Sequence, residues 1–170
     1  MIKHILKSIN YIIITIALVL VFLLVGVRLF GIDVYIVLSG SMEPTYKVGS
    51  IIYVKEIDTN NLEKNDAITF KLSDGIVATH RIVDITEDEN GIKKFTTKGD
   101  ANEEIDKLPV DEKDVIGKPI TTIPYLGYIS SILNTTRGKV IIIEIGIILL
   151  IINAIIDSNE DKKRGMKNEK

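Results

Sequence analysis

No cysteine occurs anywhere in the 170 residues. That absence removes disulfide frameworks, thiolate metal sites and thiol nucleophiles together. Basic charge is not in surplus either. Lys and Arg number 21 against 23 Asp and Glu, a formal net charge of -2, so no cationic surface points to nucleic acid as a partner. Histidine is nearly absent, with His4 and His80 the only two, and imidazole chemistry is confined to those positions. The chain is too short for a second large domain beside membrane segments, and no internal repeat is visible.

What the sequence has in excess is hydrophobic residues, 46 %, gathered near the two ends. Residues 11–27, YIIITIALVLVFLLVGV, carry no charge. With Arg28, Leu29 and Phe30 the segment reaches the roughly 20 residues that cross a bilayer as a helix, so a transmembrane helix is expected over 11–30. Lys3 and Lys7 would also fit the start of a cleaved secretory signal, but the apolar run is too long and RLFGIDVY offers no small-x-small exit. A second segment, residues 140–156, is interrupted only by Glu144 and predicts a second transmembrane helix, the alternative being a helix buried in a soluble domain. Lys162, Lys163, Arg164, Lys167 and Lys170 follow it. Lysine and arginine beside membrane spans favour the cytoplasmic side. Residues 1–10 and the polar tail 157–170, expected to be disordered, are therefore predicted inside, with residues 31–139 outside.

Between the spans the pattern changes to short β-rich runs: residues 50–56, 67–72, 76–85, 93–98 and 115–123. The stretches DTNN, LSDG, EDENG and GDANEEID between them hold the Asn, Asp, Gly and Ser that turns require. No run here has the length and period of an amphipathic helix. The predicted fold class is a mainly β, antiparallel ectodomain with two transmembrane α-helices.

Immediately after the first span comes VLSGSMEPT, in which Ser39 and Ser41 flank Gly40. A serine in a glycine-containing turn can present its hydroxyl and its own N–H to one carbonyl, the geometry acyl transfer needs; the same spacing also occurs in ordinary loops. The hydroxyl needs a base. His4 precedes the first span, on the other side of the membrane, which leaves His80. In IVATHRIVDI strand alternation sets His80 on one face with Ile76, Ala78 and Ile82, and Thr79 and Arg81 on the other. An acid must orient the imidazole, and TKGDANEEID offers Asp100 and Asp106. Ile36, Leu38 and Val54 are candidate substrate-pocket walls from their proximity in sequence.

VLSGSMEPT resembles the serine motif of type I signal peptidases, and ATHRIV, TKGDANEEID and IPYLGYI resemble, in the same order, blocks of their endoplasmic-reticulum-type branch. The resemblance covers roughly residues 20–130. It implies Ser41 as nucleophile and His80 as base, where the commoner bacterial branch has lysine before the arginine. It further implies both acids, Asp100 and Asp106, and Ser39 beside the Ser41 N–H at the oxyanion hole; Asp106 is taken as the histidine partner and Asp100 as a supporting or structural acid, the choice between them staying open. The fold it implies is a β-rich catalytic domain against the membrane surface; the second span departs from the single-anchor form. The expected function is an integral-membrane serine endopeptidase that removes signal peptides, preferring small residues at substrate positions -1 and -3 and acting on the extracytoplasmic face. Its expected partners are signal-peptide-bearing precursors and the lipid bilayer, with the protein-export channel a further candidate and nucleic acid none. No cofactor or metal is expected. The alternative from another class is a non-catalytic membrane scaffold with a peptidase-like ectodomain.

Overall fold

Alternating β-branched residues in the middle of the chain build seven strands. In the computed structural model, which describes residues 2–72, 75–89 and 91–168, these are β1 Ile32–Ile36, β2 Ile51–Lys55, β3 Ala67–Lys71, β4 Val77–Glu87, β5 Lys93–Lys98, β6 Val110–Asp111 and β7 Val115–Ile123. They form one sheet in the order β1-β2-β7-β3-β4-β5-β6, and every pairing is antiparallel. The five runs expected as strands are strands. The sheet lies within one compact unit, Val25–Ile129.

Strand β7 serves two neighbours. Its first part pairs with β3 at Val115 and Gly117, and its second part with β2 from Lys118 to Ile123. Pro119 lacks the N–H that a central strand would use. The β2 register accordingly slips there, Tyr53 facing Thr121 and Val54 facing Pro119, so Ile120 bulges out. Gly117 has no side chain because β2 crosses it closely: a Cβ would lie 2.2 Å from the Lys55 carbonyl oxygen. The core forms on one face of the β3–β6 half, from Leu62, Ile68, Phe70, Ile82, Phe95 and Val110, with Ala78 and Ile85 packed against it.

The second unit comprises Met1–Leu24 and Ser130–Lys170. Helix α1, Ile2–Leu24, stops short of the expected residue 30. Gly26 opens a 3-10 turn, Gly26–Phe30, which Gly31 ends at φ 71° with its N–H on the Arg28 carbonyl. Helix α2, Leu126–Asn134, was not foreseen, because its nine residues are too few to declare a period. Helix α3 runs Thr136–Asn168. It begins ahead of Val140 because Thr135 caps it, the Gly138 N–H donating to Thr135 Oγ1 at 2.9 Å. It also continues to Asn168 within the tail expected to be disordered, the last two residues of which lie outside the described residues, since extending a helix costs far less than starting one. Lys7–Leu24 and Thr136–Ile155 are long and apolar enough to cross a membrane. Within this unit Asn10 is buried and its Nδ2 donates to the Leu149 carbonyl at 3.5 Å.

Phe95 is 0 % exposed at the centre of the core. Phe95→Ala should destabilise the protein by about 3–5 kcal/mol, read as a lowered denaturation midpoint of the full chain in detergent; a loss under about 1 kcal/mol would contradict this packing.

Candidate active site

After β1 the chain makes an excursion and returns to β2. Its neck is closed by two bonds, Val37 N–H to the Ser50 carbonyl and Gly49 N–H to the Val37 carbonyl, both 2.9 Å. Ser39, Gly40 and Ser41 lie on this excursion, and Met42, 3 % exposed, buries the residue after Ser41. Inside the turn the Glu43 N–H donates to the Gly40 carbonyl at 3.0 Å and the Tyr46 N–H to the Met42 carbonyl at 2.9 Å. The serines are thus held on both sides.

His80 lies on β4 opposite Ile68 of β3, on the core face that alternation assigns it. The Phe70 ring meets it edge-on, centroids 6.2 Å apart. Asp106 lies in the loop after β5, its N–H on the Thr97 carbonyl at 2.8 Å. His80 Nδ1 is 2.6 Å from Asp106 Oδ2, and His80 Nε2 is 3.2 Å from Ser41 Oγ. A carboxylate has no proton to give, so the hydrogen belongs on Nδ1 and Nε2 is left as an acceptor for the serine hydroxyl. Ser39 Oγ is 3.3 Å from Ser41 Oγ. Two sequence segments far apart on the sheet, and one loop, therefore meet at a single point.

The loop also grips the serine backbone. Ala101 N–H donates to the Ser41 carbonyl at 2.9 Å, and a Cβ on Gly99 would come within 2.6 Å of that same oxygen. Glycine is required by the approach.

Asp100 points elsewhere. Its carboxylate takes a two-pronged bond from Arg81, Nε to Oδ1 and Nη2 to Oδ2, each 2.7 Å, and Thr45 Oγ1 donates to Oδ2 at 2.5 Å. Arg81 Nη1 also donates to the Asn65 carbonyl at 2.7 Å. The clamp joins β4, the serine turn and the head of the loop. The Arg81 hydrogen bond holds the Asp100 carboxyl below its ordinary value of 3.8 against a counteracting burial, with Thr45 assisting. The same bond pushes the Arg81 guanidinium up. Burial raises the nearby Tyr46 phenol.

A cavity of about 470 Å³ opens at Ser41 and His80. Ile36 and Leu38, two of the three candidate wall residues, line it together with Met42, Tyr46, Ile52, Ile76 and Ala78. Val54 does not. It is 1 % exposed and pairs with Asp33, at the far end of β1 from Ile36, which borders the cavity; closeness along the sequence ignored the antiparallel register. Ile76 and Ala78 share the His80 face by alternation, so the signal for them was present. Thr45 and Thr97 had no such signal, because their roles depend on contacts across the fold. On either side of the cavity strand edges are open. Among the described residues β1 pairs with β2 alone, and β4 meets β5 only from Arg81 onward.

The family described as signal peptidase, peptidase S26, matches residues 8–121. The chain is similar to signal peptidase I W of Bacillus subtilis (strain 168), 42 % identical over 118 residues that cover 64 % of this chain and 62 % of that protein. It is also similar to the human signal peptidase complex catalytic subunit SEC11C, 32 % identical over 109 residues, covering 59 % of this chain and 57 % of that one. The chain thus spans less than two thirds of the length of these relatives.

Because the Asp100 carboxyl is lowered on folding, its contribution to stability is fully present above the ordinary carboxylate range and is lost as pH falls through its folded value. Asp100→Asn should therefore lower stability by about 1.5–3 kcal/mol near neutral pH. The gap to wild type should close below about pH 4. Thermal melts of both proteins across that range test the sign, and a gap that widens in acid would contradict it.

Proposed function

Since the chain belongs to the signal peptidase family, peptidase S26, we propose that it is a membrane-anchored serine endopeptidase that removes N-terminal signal peptides from exported precursors. The observation that carries the reading is the unbroken chain of polar contacts from Asp106 Oδ2 through both nitrogens of His80 to Ser41 Oγ. In this reading His80 Nε2 takes the Ser41 proton as Oγ bonds to the scissile carbonyl carbon. The oxyanion is received by the Ser41 N–H and the Ser39 hydroxyl. The imidazolium returns its proton to the departing amine, and Asp106 stabilises the charged ring meanwhile. Water, deprotonated by the same nitrogen, then splits the ester and frees Ser41.

The substrate would lie extended across the cavity, adding itself between the open edges of β1 and β4. Ile36, Leu38, Ile76 and Ala78 would then receive side chains beside the cleaved bond. The apolar walls suit small uncharged residues there. Asp100 acts as a supporting acid, holding the loop through Arg81 rather than touching the base.

The two apolar helices are the membrane anchors of this reading. Both termini would face the cytoplasm, where their lysines and arginines favour them, and the sheet domain would work on the opposite side. Enzyme and precursor then meet by diffusion within one bilayer, which raises their effective concentration without any added contact. Signal-peptide-bearing precursors and the lipid itself are the partners, and the export channel that delivers precursors is a third.

The test is cleavage of a signal-peptide-bearing precursor by the full chain in liposomes. Ser41→Ala, His80→Ala and Asp106→Asn should each lower kcat/KM by about 10²–10⁴-fold, with the fold intact by circular dichroism. For the wild type, kcat/KM should fall on acidification as the imidazole takes up a proton. Cleavage at the wild-type rate by Ser41→Ala would turn the assignment toward a non-catalytic scaffold, and cleavage by His80→Ala that demands alkaline pH would indicate a lysine base.

A further inference from the structure

Thr97 is 0 % exposed and sits on β5 opposite Ile82, on the core side of the sheet. A buried strand position of that size is filled as well by valine, without a polar atom to satisfy. The hydroxyl must therefore be explained by what it bonds. Thr69, also 0 % exposed, bonds the neutral Thr79 hydroxyl at 2.8 Å. Thr97 Oγ1 instead donates to Asp106 Oδ2 at 2.6 Å, the same oxygen that faces His80 Nδ1. Its carbonyl meanwhile accepts the Asp106 N–H at 2.8 Å. One residue thus holds both the backbone and the carboxylate of the acid.

We propose that Thr97 is a positioning residue for the base: its hydroxyl fixes Asp106 and tempers that carboxylate's pull on the imidazole proton, and so sets the lower pH limit of catalysis. The inference rests on the Ser41–His80–Asp106 reading given above. A carboxylate oxygen that accepts two donors has its charge partly satisfied. Without the Thr97 donor, the same oxygen turns its full charge on the ring. It then holds a proton on His80 more tightly, and the free base that Ser41 needs is available only at higher pH. Charged groups that bear on this pair include Asp100 with its Arg81 clamp, and Lys98 and Lys107 adjoin Thr97 and Asp106 along the chain; a change at Thr97 replaces none of them. Thr97 touches no reacting atom. Its influence runs through Asp106.

The experiment measures kcat/KM from about pH 5 to 9 for precursor cleavage by the full chain in liposomes, comparing wild type, Thr97→Ser, Thr97→Val and Ser41→Ala. Thr97→Val should lower kcat/KM about 10-fold near neutral pH and move the acid limb upward by roughly half to one pH unit. Thr97→Ser, which keeps the donor, should restore both. A purely structural threonine would lower melting temperature while leaving the limb where it was. Thr97→Val with an unmoved limb, or Thr97→Ser behaving as Thr97→Val, would overturn the proposal. Where Thr97→Val yields no folded protein, Thr97→Ala carries the same expectation and the same refutation. Wild-type cleavage by Ser41→Ala would instead remove the underlying assignment, so the two failures are separable.

Discussion

The bond from the Ala101 N–H to the Ser41 carbonyl is the constraint on which the site depends. It ties the serine turn to the loop that begins at Gly99 and carries Asp106, and a hydroxyl three bonds from that carbonyl carbon is thereby held close to the acid. His80 arrives independently on a strand whose register is set by β3. A serine–histidine separation of 3.2 Å is then a consequence of three backbone connections. Side chains alone, free to rotate, would not define it.

The polar groups of the site form two separate pairs on neighbouring residues of β4. His80 faces Asp106 on one side and Arg81 faces Asp100 on the other, because successive residues of a strand point oppositely. The first pair bears on the chemistry of the proposed reaction. The second fastens the loop's start, and its bidentate geometry resists rotation better than a single contact would. Both acids come from one short loop, so a displacement of the loop would disturb the clamp and the imidazole together.

The strands with two-residue alternation were legible in the sequence, and so were Ser41, His80 and the two acids that follow Gly99 as candidates. Spacing left open which acid faces the histidine, since both sit in the same turn-rich stretch, and the pairing of Asp100 with Arg81 is visible only in the fold. Strand β1 was hidden because IDVYI directly follows an apolar segment and merges with it. Strand β6 is two residues long and carries no period at all. The Val54 expectation failed for a different reason: which end of a strand borders a cavity is decided by the partner strand's register. Thr97 lay outside reach entirely, a threonine on a β-rich run being the commonest of strand residues.

Strand β1 is one of the two edge strands, hydrogen-bonded among the described residues to a single neighbour and without a buried residue, while the core lies across the sheet under β3 to β6. Its pairing opens at less cost than any inner strand's. Such an opening would carry the serine turn away from the histidine and leave the bulk of the domain folded. In the proposed enzyme a small peripheral fluctuation on warming would then part the serine from the histidine ahead of melting.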